Sequence, residues 1–161
     1  MKVFNYFNIN NNDIKKQFLL YFLCGCIAAS VDTIVFYSFA IYVLPAITEG
    51  DVVFRFLGGH ISIADVEVQR RNFIYCSIIA FIFSNVSAYL LNIKYVFISK
   101  KTYWYREVVL FLCISLVSIF LGINAGTIML KLNAGTTLSY LIKLLTSLCF
   151  NFLGRKYLVF R

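Results

Sequence analysis

Histidine and acidic side chains are the scarcest chemistry in this chain, with one His (His60) and seven Asp and Glu in 161 residues. There is no His/Cys/Asp/Glu group at metal-ligand spacing, no Gly-rich nucleotide-binding pattern, and no pair of carboxylates near the basic segments. An enzyme, a metal site and a bound cofactor are therefore not expected. Charged residues make up only 14%, against roughly 25% in an average soluble domain, and that shortage excludes the soluble class. The single proline, Pro45, ends the first apolar run. None of the five cysteines stands in a redox or zinc spacing, Cys24-x-Cys26 included. All five fall inside apolar runs and are expected to pack as buried, small apolar residues.

Apolar length is abundant. The chain is 61% hydrophobic and 18% aromatic, with a mean hydropathy of +0.82. Four stretches, near 17–44, 73–97, 108–130 and 137–157, reach the roughly 20 residues needed to cross a hydrocarbon core. The expected fold is an all-α membrane protein, one transmembrane domain over 1–161, with an outer loop at 46–72. That loop places β-branched and aromatic residues around Gly58-Gly59, which predicts a small β-hairpin, with a short amphipathic helix as the competing reading. The polar start of the chain and the length of the first span do not fit a cleaved signal peptide.

The formal charge of +8 invites a nucleic-acid reading, but its placement points elsewhere. If four spans alternate, Lys2, Lys15, Lys16, Lys94, Lys100, Lys101, Arg106, Arg155, Lys156 and Arg161 share one side. The other side holds Arg55, Arg70, Arg71 and Lys131 together with Glu49, Asp51, Asp65 and Glu67. The positive-inside rule then puts both termini in the cytoplasm, and the basic side faces anionic lipid headgroups. No nucleic-acid partner is needed.

The chain also repeats itself. Ala88–Phe97 (AYLLNIKYVF) and Asn151–Phe160 (NFLGRKYLVF) both close an apolar run with basic and then aromatic residues. Spans one and two form one helical hairpin and spans three and four another, each beginning inside and returning there. The repeat is therefore parallel, related by an axis along the membrane normal.

Ionisable groups within spans are costly and stand as functional candidates. Asp32 follows Lys16 by a helical rise of roughly 24 Å, and Lys143 precedes Arg155 by roughly 18 Å. The two can meet between spans one and four; the alternative is that Lys143 reaches the outer surface while Asp32 is held by hydroxyls. Asn85, Asn124 and Asn151 either bond helices together or line a polar cavity suited to a sugar. Asn92 and Lys94 end span two, and Arg155 and Lys156 end span four. These act as headgroup anchors or, brought together, as a cationic cluster for a phosphate.

Several of these residues carry a resemblance. Phe22, Leu23, Gly25 and Asp32 in span one, Gly122 and Asn124 in span three, and the two endings (Asn92, Lys94, Tyr95, Val96, Phe97; Asn151, Phe152, Val159, Phe160) make the chain similar to the GtrA family of four-span membrane proteins. It departs from the pattern at Ala88 and at Gly154-Arg155-Lys156. The resemblance implies a flippase for a polyprenyl-phosphate-linked sugar, such as undecaprenyl-phosphate glucose, in the bacterial inner membrane. Its product would modify O-antigen or another envelope polysaccharide, with glycosyltransferases of the same pathway as partners. A non-transporting anchor or regulator of such a glycosyltransferase is the alternative. Four helices make thin walls for a path, so a homo-oligomer is expected.

Overall fold

The computed structural model describes residues 11–56, 64–95 and 104–158, with side chains described at 20, 23–56, 64–91 and 109–154. Helix α1 spans Asn11–Tyr42, α2 Val52–Phe56, α3 Val66–Tyr95, α4 Trp104–Lys131 and α5 Thr136–Leu158. Four of them contain apolar stretches of membrane-crossing length: Leu23–Tyr42, Val66–Leu91, Val109–Lys131 and Thr136–Gly154, of 20, 26, 23 and 19 residues. At 1.5 Å per residue these match a hydrocarbon core of about 30 Å. Large apolar side chains such as Ile34, Ile82, Leu116, Phe120 and Leu145 stay on the outside of the bundle. An apolar outside on all four long helices is what a lipid surround requires. The chain is a multi-pass membrane protein.

The packing pairs α1 with α3 and α4 with α5, with a lighter contact between α3 and α4. The α1–α3 connection and the α4–α5 turn lie at the same end. There Asn72 donates to the Pro45 carbonyl at 2.9 Å, and the Thr48 amide donates to the Thr136 hydroxyl at 3.1 Å. Both hairpins thus point the same way, as a parallel repeat demands.

Residue size explains each close approach. A Cβ on Gly126 would meet the Phe73 ring and the Ser139 carbonyl at 2.9 Å and Lys143 Cβ at 3.0 Å, and one on Gly122 would meet Ser147 Oγ. Gly122 and Gly126, four residues apart, give α4 the bare stripe against which a transmembrane helix packs backbone to backbone. Gly126→Val should therefore overpack this contact and destabilise the bundle by about 1–3 kcal/mol, visible as a lower thermal midpoint in detergent. A midpoint equal to wild type would mean that α4 and α5 are not locked here.

The core sits at the loop-bearing end. Phe36 stacks on Tyr140 with centroids 4.3 Å apart and meets Phe73 edge-on at 5.4 Å. Ala40, Cys76, Ala80 and Leu130 fill the space around them. Of the cysteines, Cys24 and Cys76 are buried as expected, but Cys26, Cys113 and Cys149 are exposed. An apolar run in a membrane helix has lipid-facing positions as well as core positions, so membership of the run did not fix burial.

Among the described residues of the predicted β-hairpin, Val52–Phe56 and Val66–Val68 are helical and none is strand. Its first arm is α2, and Val66–Val68, in its second arm, belong to α3. Local capping decides this: Asp51 Oδ1 accepts from the Val53 amide at 2.9 Å, and the Asp51 carbonyl accepts from Arg55 at 3.0 Å. A side-chain cap satisfies the first helical amides and outweighs the weak, context-dependent strand preference of Val and Phe. Gly58, Gly59 and His60 lie outside the described residues.

Candidate functional site

Among the described residues, one ion pair sits inside the bundle. Lys143 on α5 donates to Asp32 Oδ2 on α1 at 2.8 Å, with Lys143 1% and Asp32 5% exposed. Tyr140 donates to the same oxygen at 2.9 Å, while Ser84 on α3 donates to Oδ1 at 3.3 Å. Thr33 lies 3.0 Å from the Tyr140 hydroxyl and gives its own proton to the Ala29 carbonyl at 2.9 Å. The Lys143 ammonium also lies over the Tyr140 and Phe36 rings, 4.8 and 5.6 Å from their centroids. A buried charge survives in such a place only when paired and hydrogen-bonded. Both conditions are met for Asp32, with donors from α3 and α5.

The pair closes one end of a cavity of about 360 Å³. Gly25, Ala28 and Ala29 line it from α1, Ser84, Asn85 and Ala88 from α3, Ser115 and Ser118 from α4, and Ser147 and Asn151 from α5. Phe81, Ile119, Leu144, Leu148 and Phe152 complete a mostly apolar wall, and the small side chains between them leave the void unfilled. The cavity runs from the aromatic core toward the level of Asn151 and Phe152, the end at which α3 and α5 finish.

Four of the residues singled out in the sequence, Asp32, Asn85, Lys143 and Asn151, line this one cavity. The Asp32–Lys143 contact is the pairing alternative, and Lys143 does not reach the outer surface. Asn85 is half-buried and makes no side-chain hydrogen bond within the described residues. Asn124 is not brought to the site: it is exposed on α4 and donates to the carbonyl of Phe120 in its own helix at 2.7 Å. Asn92, Lys94, Arg155 and Lys156 stand on the last turns of α3 and α5, and their side chains lie outside those described.

Sequence reasoning missed Ser84, Ser115, Ser118, Tyr140 and Ser147. Their signal was periodic rather than chemical. Ser84, Asn85 and Ala88, like Tyr140, Lys143, Ser147 and Asn151, recur at three- and four-residue steps and so share one helix face. Ser115 is 3% exposed and its hydroxyl has no hydrogen-bond partner among the described residues. Among the described residues no group of three His, Cys, Asp or Glu converges on a metal-sized site.

The loop-bearing end is held by Asp51. Besides capping α2, its carboxylate accepts from the Thr137 amide at 2.7 Å and from the Thr137 hydroxyl at 2.6 Å, so it also caps α5 across the loop. Tyr37 on α1 donates to the same Thr137 hydroxyl at 3.2 Å, and Thr136 donates to the Ala46 carbonyl at 2.6 Å. The α4–α5 turn is shaped to fit. Asn133 takes φ 60°, with Ala134 donating to Met129 at 3.0 Å and Asn133 to Leu130 at 3.1 Å in a Schellman closure. A Cβ on Gly135 would lie 2.8 Å from Asp51 Oδ2. Asp51→Ala removes two helix caps at once and should cost about 2 kcal/mol, read as a drop in detergent thermal midpoint. An unchanged midpoint would show that the clasp contributes nothing.

A family model described as GtrA/DPMS, transmembrane domain, matches residues 20–160. No curated protein and no solved structure matches the chain.

Proposed function

Because the chain belongs to the GtrA/DPMS transmembrane family, which ties it to polyprenyl-phosphate sugars, we propose that it is a flippase. It carries the headgroup of a polyprenyl-phosphate-linked sugar, such as undecaprenyl-phosphate glucose, across the bacterial inner membrane for modification of O-antigen or another envelope polysaccharide. The observation that carries this reading is the cavity, which extends from the level of Ala88 and Phe152 to a hydrogen-bonded ion pair within the membrane-crossing length. Moving a polar headgroup through bare hydrocarbon is prohibitive unless the protein replaces water's hydrogen bonds. Serines, amides and the Asp32–Lys143 pair are such replacements.

In this scheme Asn92, Lys94, Arg155 and Lys156 receive the phosphate at the basic end and the sugar ring occupies the cavity. The polyprenyl tail stays in lipid along the apolar outer faces. The excess of Lys and Arg at the end holding both termini supports a cytoplasmic location for that end, toward which the cavity extends. Glycosyltransferases of the pathway supply the lipid-linked sugar, the surrounding membrane lipids hold the basic end, and a homo-oligomer thickens the walls. The protein is a carrier and not an enzyme, and it uses no cofactor.

The test is reconstitution into liposomes with labelled polyprenyl-phosphate sugars. Protein-dependent movement between leaflets is expected for at least one of them. No movement across a panel of such lipids would leave the glycosyltransferase-anchor reading in its place.

A further inference from the structure

We propose that the seam between α1 and α5, on the terminal side of the Asp32–Lys143 pair, is a lateral portal that passes the single isoprenoid chain of a lipid phosphate between the cavity and the bilayer. The proposal takes the lipid class from the flippase reading and adds where the tail crosses the wall of the bundle. Helix α1 packs along α3, α5 along α4, and α3 lightly on α4, whereas the backbones of α1 and α5 scarcely meet. What joins α1 to α5 is side chains. Asp32, Thr33, Phe36 and Tyr37 reach Tyr140, Lys143 and Thr137, so these bridges occupy the part of the seam nearer the loops.

Toward the termini the seam changes character. Gly25 stands roughly 10 Å from Asp32 by helical rise, and a Cβ built there meets nothing within 4 Å. The exposed lining residues of the cavity are Gly25 and Cys26 on α1 and Leu148 and Phe152 on α5, the two helices of this seam. The lining residues of α3 are half-buried, and those of α4 are buried. A residue that faces both the cavity and the outside of the bundle marks an opening in the wall. The cavity therefore meets lipid between α1 and α5.

The edges of this opening suit hydrocarbon. Gly25, Cys26 and Ala29 on one side and Leu148 and Phe152 on the other present no strong hydrogen-bonding side chain to a sugar or a phosphate. An opening with one helix on each side passes one chain, whereas a glycerophospholipid brings two on one headgroup. Charge at its foot suits the other end of the lipid. Lys15 and Lys16 stand near the start of α1, and Arg155 and Lys156 on the last turn of α5, so both flanking helices carry basic residues at their terminal ends. A hydrocarbon chain gains little by leaving lipid for an equally apolar slot. A phosphate held at the basic foot is what brings the chain into register with the opening.

The experiment puts a small maleimide fluorophore on one exposed cysteine at a time in proteoliposomes of the full chain. Cys26 reports from the portal. Cys113 and Cys149, exposed on α4 and α5 but outside the lining, report from the ordinary lipid-facing surface. In each case the other two exposed cysteines are replaced by Ala. Three quenchers carry a nitroxide in the hydrocarbon chain: a polyprenyl phosphate, the matching polyprenol, and phosphatidylglycerol, which is anionic but two-chained. The polyprenyl phosphate should quench Cys26 at a mole fraction roughly tenfold lower than it needs at Cys113 or Cys149, a preference of about 1.4 kcal/mol. The polyprenol and the phosphatidylglycerol should quench all three positions alike. Gly25→Leu puts a branched side chain where there is room for it, and should bring Cys26 to the level of the other two with the thermal midpoint retained.

Equal quenching of the three positions by polyprenyl phosphate would overturn the proposal. So would a preference for Cys26 shown as strongly by polyprenol or phosphatidylglycerol, or one that survives in folded Gly25→Leu. None of these readings needs transport. If Cys26 is preferred but no lipid changes leaflet, the portal stands and the flippase reading fails. If lipids move while Cys26 is quenched no more than Cys113 and Cys149, the flippase reading stands and the portal fails.

Discussion

Lys143→Met should lower the stability of the protein by about 3–5 kcal/mol, the scale measured when one partner of a buried ion pair is removed. The loss comes less from the missing attraction than from what stays behind. Asp32 would be a buried carboxylate held only by Tyr140 and Ser84. Asp32→Leu should cost a similar amount, because it strands the ammonium of a lysine that is 1% exposed. The double variant should recover most of the stability, since replacing both charges by apolar groups of like volume is often neutral. A double-mutant cycle on unfolding in detergent measures this, and additive single losses would mean that the two groups are not coupled. Transport separates structure from function in the same variants. The stable double variant should still fail to move lipid-linked sugar, because its cavity floor has lost its polar groups. Normal transport by that variant would reduce the pair to a structural element.

Gly25 gives the other large effect, and with a built-in control. It lines the cavity from α1, and a Cβ placed on it meets nothing within 4 Å. Glycine within a helix is less favourable than alanine by about 0.8–1.0 kcal/mol, so Gly25→Ala should raise the thermal midpoint and leave the cavity open. Gly25→Trp should fold as well, since its side chain enters open space rather than a packed contact, but it should fill the cavity and abolish transport. Loss of folding in both variants would show that the space beside Gly25 is closed. Retained transport in Gly25→Trp would show that substrate goes elsewhere.

The comparison with Gly126 shows what the sequence could and could not reveal. Both are glycines in the middle of apolar runs, yet one faces a void and the other touches Ser139 and Phe73. Only the partner helix distinguishes them. Span number, pairing into two hairpins and the depth match of Asp32 with Lys143 were legible, because length, charge placement and helical rise are local properties. The cavity was not read as a whole, because serines on three helices become a site only when the crossing is known. Asn124 was singled out for its polarity, but a helix has several faces, and its side chain bonds back to Phe120 on the outer one. The outer loop was misread for a related reason. Val52 and Phe54 favour strand in isolation, whereas Asp51, placed to cap two helices, settles the local structure as helix.

That the cavity is the path of the headgroup is tested most directly by one rate. In proteoliposomes loaded with labelled polyprenyl-phosphate hexose, movement between leaflets is followed for wild type, Gly25→Ala and Gly25→Trp at equal amounts of folded protein. The account predicts similar rates for the first two and no protein-dependent movement for the third. Movement through Gly25→Trp at the wild-type rate would contradict it.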